Sequence, residues 1–392
     1  MLAMRTMALV AVAALAAAIG TLPLHVAPAG ATDVGCGLPS ASDDHWPVAA
    51  PESVGLAGAT LCPMVKWLND AKESNVHAVL VVRHGTLVFE HYFSGSDTRL
   101  SRPLGDVTFG PDTRHDERSA TKSIVALLLG IAIDRGLIKG LDAPVLSFFP
   151  EYADLATPAK DRITLRDLIT MSAGLEWNEL DIPLTTPLTG DGVRIGNAPD
   201  PYRYVLQQAV VAPPGRVWNY SSGSTELIGA VLKKATGKPV DELARAWLFA
   251  PLGITDVEWA RYPNGYLIAC GGLRLRPRDL AKIGQLVLQH GVWNDAQVVP
   301  AAWVEAATSP QINADSPFFY GYQFWLGRSL IDKRAVEWAA AIGLGGQRVF
   351  IVPALDLVVV VNAGLYASML QGAAPTAILN QYVLEATTPH RD

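Results

Sequence analysis

The sequence lacks the features that mark several common functions. Charged residues are only 17% of its 392, the net charge is −6, and no basic run occurs, so nucleic acid is not an expected partner. Beyond the N-terminal region no apolar stretch reaches about 18 residues, which excludes a helical membrane span there. Cysteine is scarce, at three residues, and neither Cys-x-x-Cys nor His-Glu-x-x-His spacing occurs. A zinc site is therefore not expected, and no pattern implies a cofactor. The pentapeptide Gly-x-Ser-x-Gly of a nucleophile elbow is absent; the nearest match, Thr170-Met171-Ser172-Ala173-Gly174, lacks the first glycine. There is no phosphate-binding Gly-x4-Gly-Lys-Ser/Thr loop and no internal repeat.

What the chain does have begins at its N-terminus. Arg5 is the only charged residue of Met1–Ala31; a 13-residue apolar run, Met7–Ile19, follows it, and Ala29-Gly30-Ala31 offers a small-residue cleavage site. These parts in this order read as a secretory signal peptide over residues 1–31, so a secreted or cell-envelope location is expected. Gly20, Pro23 and Pro28 break the run too early for an uncleaved anchor. Asp33 stands where a lipoprotein cysteine at 36 would need an apolar neighbour. Cleavage after Ala31 leaves 361 residues of net charge −7, read as a single domain over 32–392. Half of all residues are hydrophobic, enough for a sizeable core. Export permits disulfides, and Cys36 and Cys62 share one short segment, so a Cys36–Cys62 bridge is expected, with Cys270 free and buried.

Periodicity places a helix over Gly58–Asn75, then strands His77–Val82 and Leu87–Phe93 turned at His84-Gly85; His84 and His91 carry no assigned role. Ser94–Glu117, rich in Asp, Arg, Gly and Pro, reads as a loop. Ile124–Ile133 is apolar on every side, the mark of a buried helix, with Gly136 as its stop. Further helices are expected at Thr225–Thr236, Asp241–Leu248, Asp279–Gln289 and Gln371–Glu385. Strands are expected at Tyr320–Leu326, Val336–Ile342, Val349–Val352 and Leu357–Val361. Gly174–Pro201 reads as a long irregular stretch, a binding loop or a solvated insertion. Strands at both ends with helices between them predict an α+β fold. One antiparallel sheet would be built from both chain ends, flanked by helices and interrupted by a mainly helical subdomain at about 137–290.

Chemistry is suggested where the buried helix begins. Ser119 and Lys122 are three residues apart and share a helical face. A lysine in the first turn of a buried helix meets the positive end of the dipole and a dry environment, both of which favour its neutral form. Such an amine is expected to be a base near neutral pH that activates the serine.

That Ser-x-x-Lys pair does not stand alone. Ile163–Leu175, Gly215-Arg-Val-Trp-Asn-Tyr-Ser-Ser-Gly223, Gly271–Ala281 and Gly343-Leu-Gly-Gly-Gln347 follow it in order. With these segments the chain resembles the serine β-lactamase and penicillin-binding-protein superfamily over about residues 53–385. The likeness is strongest to a class C-like branch of esterases, D-amino-acid peptidases and 6-aminohexanoate-dimer hydrolases. The resemblance implies the β-lactamase/transpeptidase-like fold, Ser119 as nucleophile, Lys122 as base and Tyr220 as proton relay. Ser222 stands where the family's Tyr-x-Asn box has Asn, a Tyr-x-Ser form. The third box aligns with Ala341-Ile342-Gly343 and has lost its basic residue, which argues against tight recognition of a substrate carboxylate. Leu344 N–H, with Ser119 N–H, falls where the family places its oxyanion hole.

The function expected is an exported serine hydrolase that cleaves small esters or short amides. The alternatives are a β-lactamase or D,D-peptidase, and a non-catalytic ligand-binding member of the fold. Trp218 is expected to pack in the core, Asn219-Tyr220-Ser221 to match a glycosylation acceptor by chance, and Arg348 to be a strand-edge surface residue.

Overall fold

Two nearly unbroken apolar stretches from opposite ends of the chain, 76–83 and 357–363, pair antiparallel in the middle of the main sheet, with Val79 opposite Val361 and Val81 opposite Val359. Every residue of 357–363 is buried, as is all of 76–83 except Arg83. Both faces are covered, which is why these strands read as continuous apolar runs and not as alternating ones. The computed structural model describes residues 36–42, 46–180 and 190–387. The expected signal segment and residues 181–189, Asp181 among them, lie outside the described residues.

In chain order, β1 (Val76–Arg83) and β2 (Thr86–Tyr92) form a hairpin, β3 (Ser94–Arg99) and β4 (Arg102–Thr108) a second one, and β5 (His115–Asp116) leads to the central helix Thr121–Asp134. After the helical middle come β6 (Glu258–Trp259), β7 (Leu273–Leu275) and a small hairpin of β8 (Val292–Trp293) and β9 (Ala296–Gln297). The chain then runs through β10 (Ile312–Asn313), β11 (Phe319–Tyr320), β12 (Trp325–Ile331), β13 (Arg334–Gly343), β14 (Gln347–Val352) and β15 (Leu357–Ala363). The main sheet has eight strands in the order β10-β11-β12-β13-β14-β15-β1-β2, and β5-β7-β6 form a separate small sheet. This is the expected α+β arrangement, with the antiparallel sheet built from both chain ends.

Each face of the sheet carries its own apolar cluster. Leu80, Val82, Val358 and Val360 join the central helix and Leu280, Ile283 and Val287 of the helix Pro277–Leu288. On the other face, Val79, Val81, Val359 and Val361 meet Met64 and Leu68 of the helix Pro63–Asp70 and the C-terminal residues Ile378, Leu379, Val383 and Leu384. Gly284 is a point of close approach: a Cβ there would sit 2.6 Å from Val358 Cγ1 and 2.8 Å from Val349 Cγ1.

Four expectations need correction, the first being Gly174–Pro201, which is not irregular throughout but holds the helix Asp191–Asn197. Ser94–Glu117 is not a loop but holds the β3–β4 hairpin and β5. The hairpin is mostly exposed and polar, so it shows no apolar alternation, and its turn residues Leu100 (φ 49°) and Ser101 (φ 70°) are not the glycine or asparagine that usually mark such a turn. The helix expected over Gly58–Asn75 is split into Gly58–Leu61, Pro63–Asp70 and a 3-10 turn Lys72–Ser74, with Pro63, which lacks an N–H, at the break. The strand expected over Tyr320–Leu326 is likewise two, β11 and β12, separated around Gln323, whose φ is 60°.

Cys36 and Cys62 form a disulfide and Cys270 is a buried free thiol, as expected. Among the described residues no helix is long and apolar enough to cross a membrane. The bridge links residues 26 positions apart. Replacing both cysteines with serine should therefore lower the unfolding free energy by about 2–4 kcal/mol, read from urea unfolding with the midpoint and the m value both fitted.

Candidate active site

The central helix is buried from Thr121 to Ala132 and is entered through a 3-10 turn, Arg118–Ala120, directly after β5. Arg118 sits in the left-handed region at φ 49°, where a non-glycine residue persists only if its surroundings hold it. They do: its guanidinium donates to Thr98 Oγ1 at 3.1 Å, pairs with Asp116 at 3.5 Å and stacks over Tyr366 at 4.6 Å. The next residue in the chain is Ser119.

Lys122 is 1% exposed, and its ammonium donates to Ser119 Oγ at 3.0 Å, Ser222 Oγ at 3.0 Å and the Cys270 carbonyl at 2.9 Å. Its three protons thus meet three acceptors from three separate segments. Tyr220, also buried, interacts through its hydroxyl with both Ser119 and Lys122, and the Lys122 nitrogen lies 5.1 Å from its ring centroid. Ser222 opens the helix Ser222–Thr236, which starts three residues earlier than its apolar pattern suggests, with Ser221 as the N-cap accepting from Ser224 N–H at 3.1 Å.

Glu179 completes this cluster, and the sequence carried no sign of its role. Its carboxylate accepts from Ser222 Oγ at 2.6 Å, Ser222 N–H at 2.8 Å and Trp177 Nε1 at 2.8 Å. It belongs to the irregular stretch after Gly174, where one acidic residue looks like another until the chain folds back. Gly192 makes room for it, since a Cβ there would come within 3.0–3.2 Å of the Glu179 side chain.

The electrostatics reverse the expectation for Lys122. Burial pulls its pKa down, but Tyr220, Cys270 and Glu179 push it up and outweigh burial, so the pKa ends above the ordinary lysine value. The amine is an ammonium at neutral pH. Burial also raises the Tyr220 phenol, a rise that Lys122 opposes and Glu179 reinforces, leaving it above the usual tyrosine value. Burial, helped by Glu226, pushes the Cys270 thiol up to about 12, and its backbone carbonyl accepts from the Lys122 ammonium.

The end of β13 abuts the turn before Ser119. A Cβ on Gly343 would lie 2.3 Å from the Glu117 carbonyl and 3.2 Å from Arg118 Cβ, so no larger residue fits. Gly345 (φ 90°) and Gly346 (φ 101°) carry the turn that follows into β14. Among the described residues neither Ser119 N–H nor Leu344 N–H donates to a protein acceptor. Arg348 is not the surface residue expected: it is buried and donates to the carbonyls of Gly343 at 3.0 Å and Gln347 at 2.8 Å. Its position on β14, an inner strand of the sheet, explains the difference. Trp218 is half-buried against Tyr220, Tyr320 and Trp325. Asn219 Nδ2 donates to the Trp177 carbonyl at 3.1 Å, which ties the acceptor-like asparagine to the wall of the site.

A Beta-lactamase family model matches residues 69–365, so the chain belongs to that family. A 6-aminohexanoate-dimer hydrolase of Paenarthrobacter ureafaciens is 27% identical over 307 residues, covering 74% of this chain and 72% of that protein. Esterase EstB of Burkholderia gladioli is 29% identical over 183 residues, 45% of each chain. A solved penicillin-binding-protein homologue from Caulobacter crescentus superposes with a TM-score of 0.64 at 15% identity, over 88% of this chain and 98% of that one, a likeness of fold. The protein is a serine hydrolase of the esterase-like branch of the serine β-lactamase and penicillin-binding-protein superfamily.

Lys122 and Tyr220 both hold their protons at neutral pH, and one must leave before either can act as a base. Hydrolysis of p-nitrophenyl acetate should therefore climb through the alkaline range, with an apparent pKa belonging to the pair, and should not level off near neutrality. Glu179 raises both groups, so the profile of Glu179→Gln should move to lower pH when kcat/KM is measured against pH.

Proposed function

We propose that the protein is an exported serine hydrolase that cleaves small esters or short amides through an acyl-enzyme on Ser119. The observation that carries this reading is the buried Lys122 ammonium, held between Ser119 Oγ and Ser222 Oγ beneath the phenol of Tyr220. Once the Lys122–Tyr220 pair has lost a proton, Ser119 Oγ attacks the substrate carbonyl and its own proton passes to the pair. The oxyanion is received by the Ser119 and Leu344 N–H groups; losing one such donor typically costs about 10²–10³ in kcat. Tyr220 then returns the proton to the leaving alkoxide or amine as its bond to the acyl carbon breaks. Water enters by the same route, giving its proton to the pair, which returns it to Ser119 Oγ as the acyl–Oγ bond breaks and the acid leaves. Through Ser222, Glu179 keeps the ammonium in place during both halves.

The substrate class follows from what the third box offers. Ala341-Ile342-Gly343 has no cation, and Arg348 is turned toward backbone carbonyls, so no basic side chain there anchors a carboxylate. The half-buried Trp218 and Trp325 beside Tyr220 favour an apolar acyl or leaving group. The names of the relatives, an amide hydrolase and an esterase, point the same way. Export is supported by the N-terminal signal pattern and by the disulfide, which suits an oxidising compartment.

Intact-mass analysis with a fluorophosphonate should give one adduct on the native protein and none on Ser119→Ala; an adduct on both removes the assignment. Tyr220→Phe should lower kcat by about 10²-fold or more with a smaller change in KM. Faster turnover of nitrocefin than of short p-nitrophenyl esters would move the assignment to a β-lactamase, and no turnover of either to a binding protein. N-terminal sequencing of the secreted chain should begin at Thr32.

A further inference from the structure

Apart from the Ser119 site, three residues from three different strands meet in the interior: His77 on β1, Asp97 on β3 and His115 on β5. All three are buried, and one ligand atom from each lies within 4.8 Å of the others. His77 Nδ1 faces His115 Nε2 at 2.8 Å, and Asp97 Oδ1 lies 3.8 Å from His115 Nε2.

The outer nitrogens decide which protons these rings carry. Asn75 Nδ2 donates to the Ser96 carbonyl at 2.9 Å, so Asn75 Oδ1 is an acceptor where it meets His77 Nε2 at 3.2 Å. His77 Nε2 must therefore bear a hydrogen. His115 Nδ1 faces the Asp116 carbonyl at 3.2 Å, an acceptor that favours a hydrogen on this nitrogen too. In the neutral rings the inner nitrogens, His77 Nδ1 and His115 Nε2, are then both bare lone pairs pointing at each other, with a carboxylate beside them.

We propose that His77 Nδ1, His115 Nε2 and Asp97 bind a divalent transition-metal ion, of which Zn²⁺ best suits two imidazoles and a carboxylate. The surroundings match what metal-binding histidines require, since each outer N–H is fixed by an oxygen acceptor. Asp97 is also held, accepting from the Tyr366 hydroxyl at 2.9 Å. Glycines enclose this outer layer: a Cβ on Gly95 would meet Asn75 Oδ1 at 2.2 Å, and one on Gly364 would meet Asn75 Nδ2 at 2.5 Å and His77 Cε1 at 2.7 Å. Tetrahedral zinc separates two ligand nitrogens by about 3.3 Å, so the rings must part by about half an ångström, a small rotation of each.

The ion would be structural. Asp97 is the only buried residue of β3, and through it the metal would fix the exposed β3–β4 hairpin to β1 and β5. Spacing motifs miss this set because its ligands are 18 to 38 residues apart and are assembled only by strand placement.

The test uses the full mature chain without a histidine tag, unfolded in guanidinium with EDTA and refolded with ZnCl₂ or with EDTA. Zinc refolding should leave about one ion per chain after desalting, with a melting temperature several degrees above the EDTA sample. Co²⁺ in its place should give visible d–d absorption. His115→Gln and Asp97→Asn should lose the ion, and Asn75→Ala, with all three ligands intact, should weaken zinc by about 10–100-fold. If a histidine variant does not refold, Asp97→Asn and Asn75→Ala still decide the matter. Less than a tenth of an ion per chain with unchanged melting overturns the proposal, as does undiminished zinc in Asp97→Asn and Asn75→Ala. An imidazole proton shared between the two rings, seen by ¹⁵N NMR after zinc refolding, also overturns it. Zinc content is read without substrate, so the hydrolase reading stands or falls separately.

Discussion

One buried positive charge sets the terms for the rest of the site. An ammonium removed from water costs several kcal/mol unless its hydrogens are matched and opposite charge lies near. Lys122 meets the first condition with Ser119, Ser222 and the Cys270 carbonyl, and the second at one remove, because Glu179 holds Ser222 from its far side. The acceptors come from the turn before the central helix, the start of the helix Ser222–Thr236 and the segment before β7. The charge thus ties together three parts of the chain that are far apart in sequence, and places the Ser119 hydroxyl at their junction.

The other side of the site is shaped by backbone. Gly343 lies against the Glu117 carbonyl with no space for a side chain, and Arg348 grips the Gly343 and Gln347 carbonyls from within the sheet. Gln347 extends the brace by donating to the Ala363 carbonyl at 2.6 Å. With the turn held this way, the Leu344 and Ser119 N–H groups need no cationic side chain to stay in place. Tyr366 connects this region to the histidine cluster, touching Arg118 through its ring and Asp97 through its hydroxyl. The strained Arg118, next to Ser119, and the buried histidines are therefore joined through Tyr366.

Much of this was readable beforehand because it depends on local pattern. The uninterrupted apolar run Ile124–Ile133 requires a helix covered on all sides, and the valine-rich runs at both ends of the chain require strands covered on both faces. The pair Ser119 and Lys122 needs only one helical turn to meet. The failures share a cause as well. The β3–β4 hairpin is held by backbone pairing of exposed polar residues, Glu179 by its contacts with Ser222 and Trp177, and Arg348 by burial in the sheet, and none of these leaves a periodic trace. The protonation of Lys122 was misjudged because helix position and burial are visible in sequence, whereas the opposing fields of Tyr220, Cys270 and Glu179 come from 57 to 148 residues away.

By itself, then, the sequence determined the elements that hydrophobic spacing controls, the family to which the motifs belong and the identity of the helical Ser-x-x-Lys pair. Only the tertiary structure decided that Lys122 remains charged, that Glu179 supports it through Ser222, and that His77, Asp97 and His115 face one another. The physical reason is range: side-chain spacing acts within a turn or a strand, while charge balance and lone-pair opposition depend on groups that become neighbours only when distant segments pack.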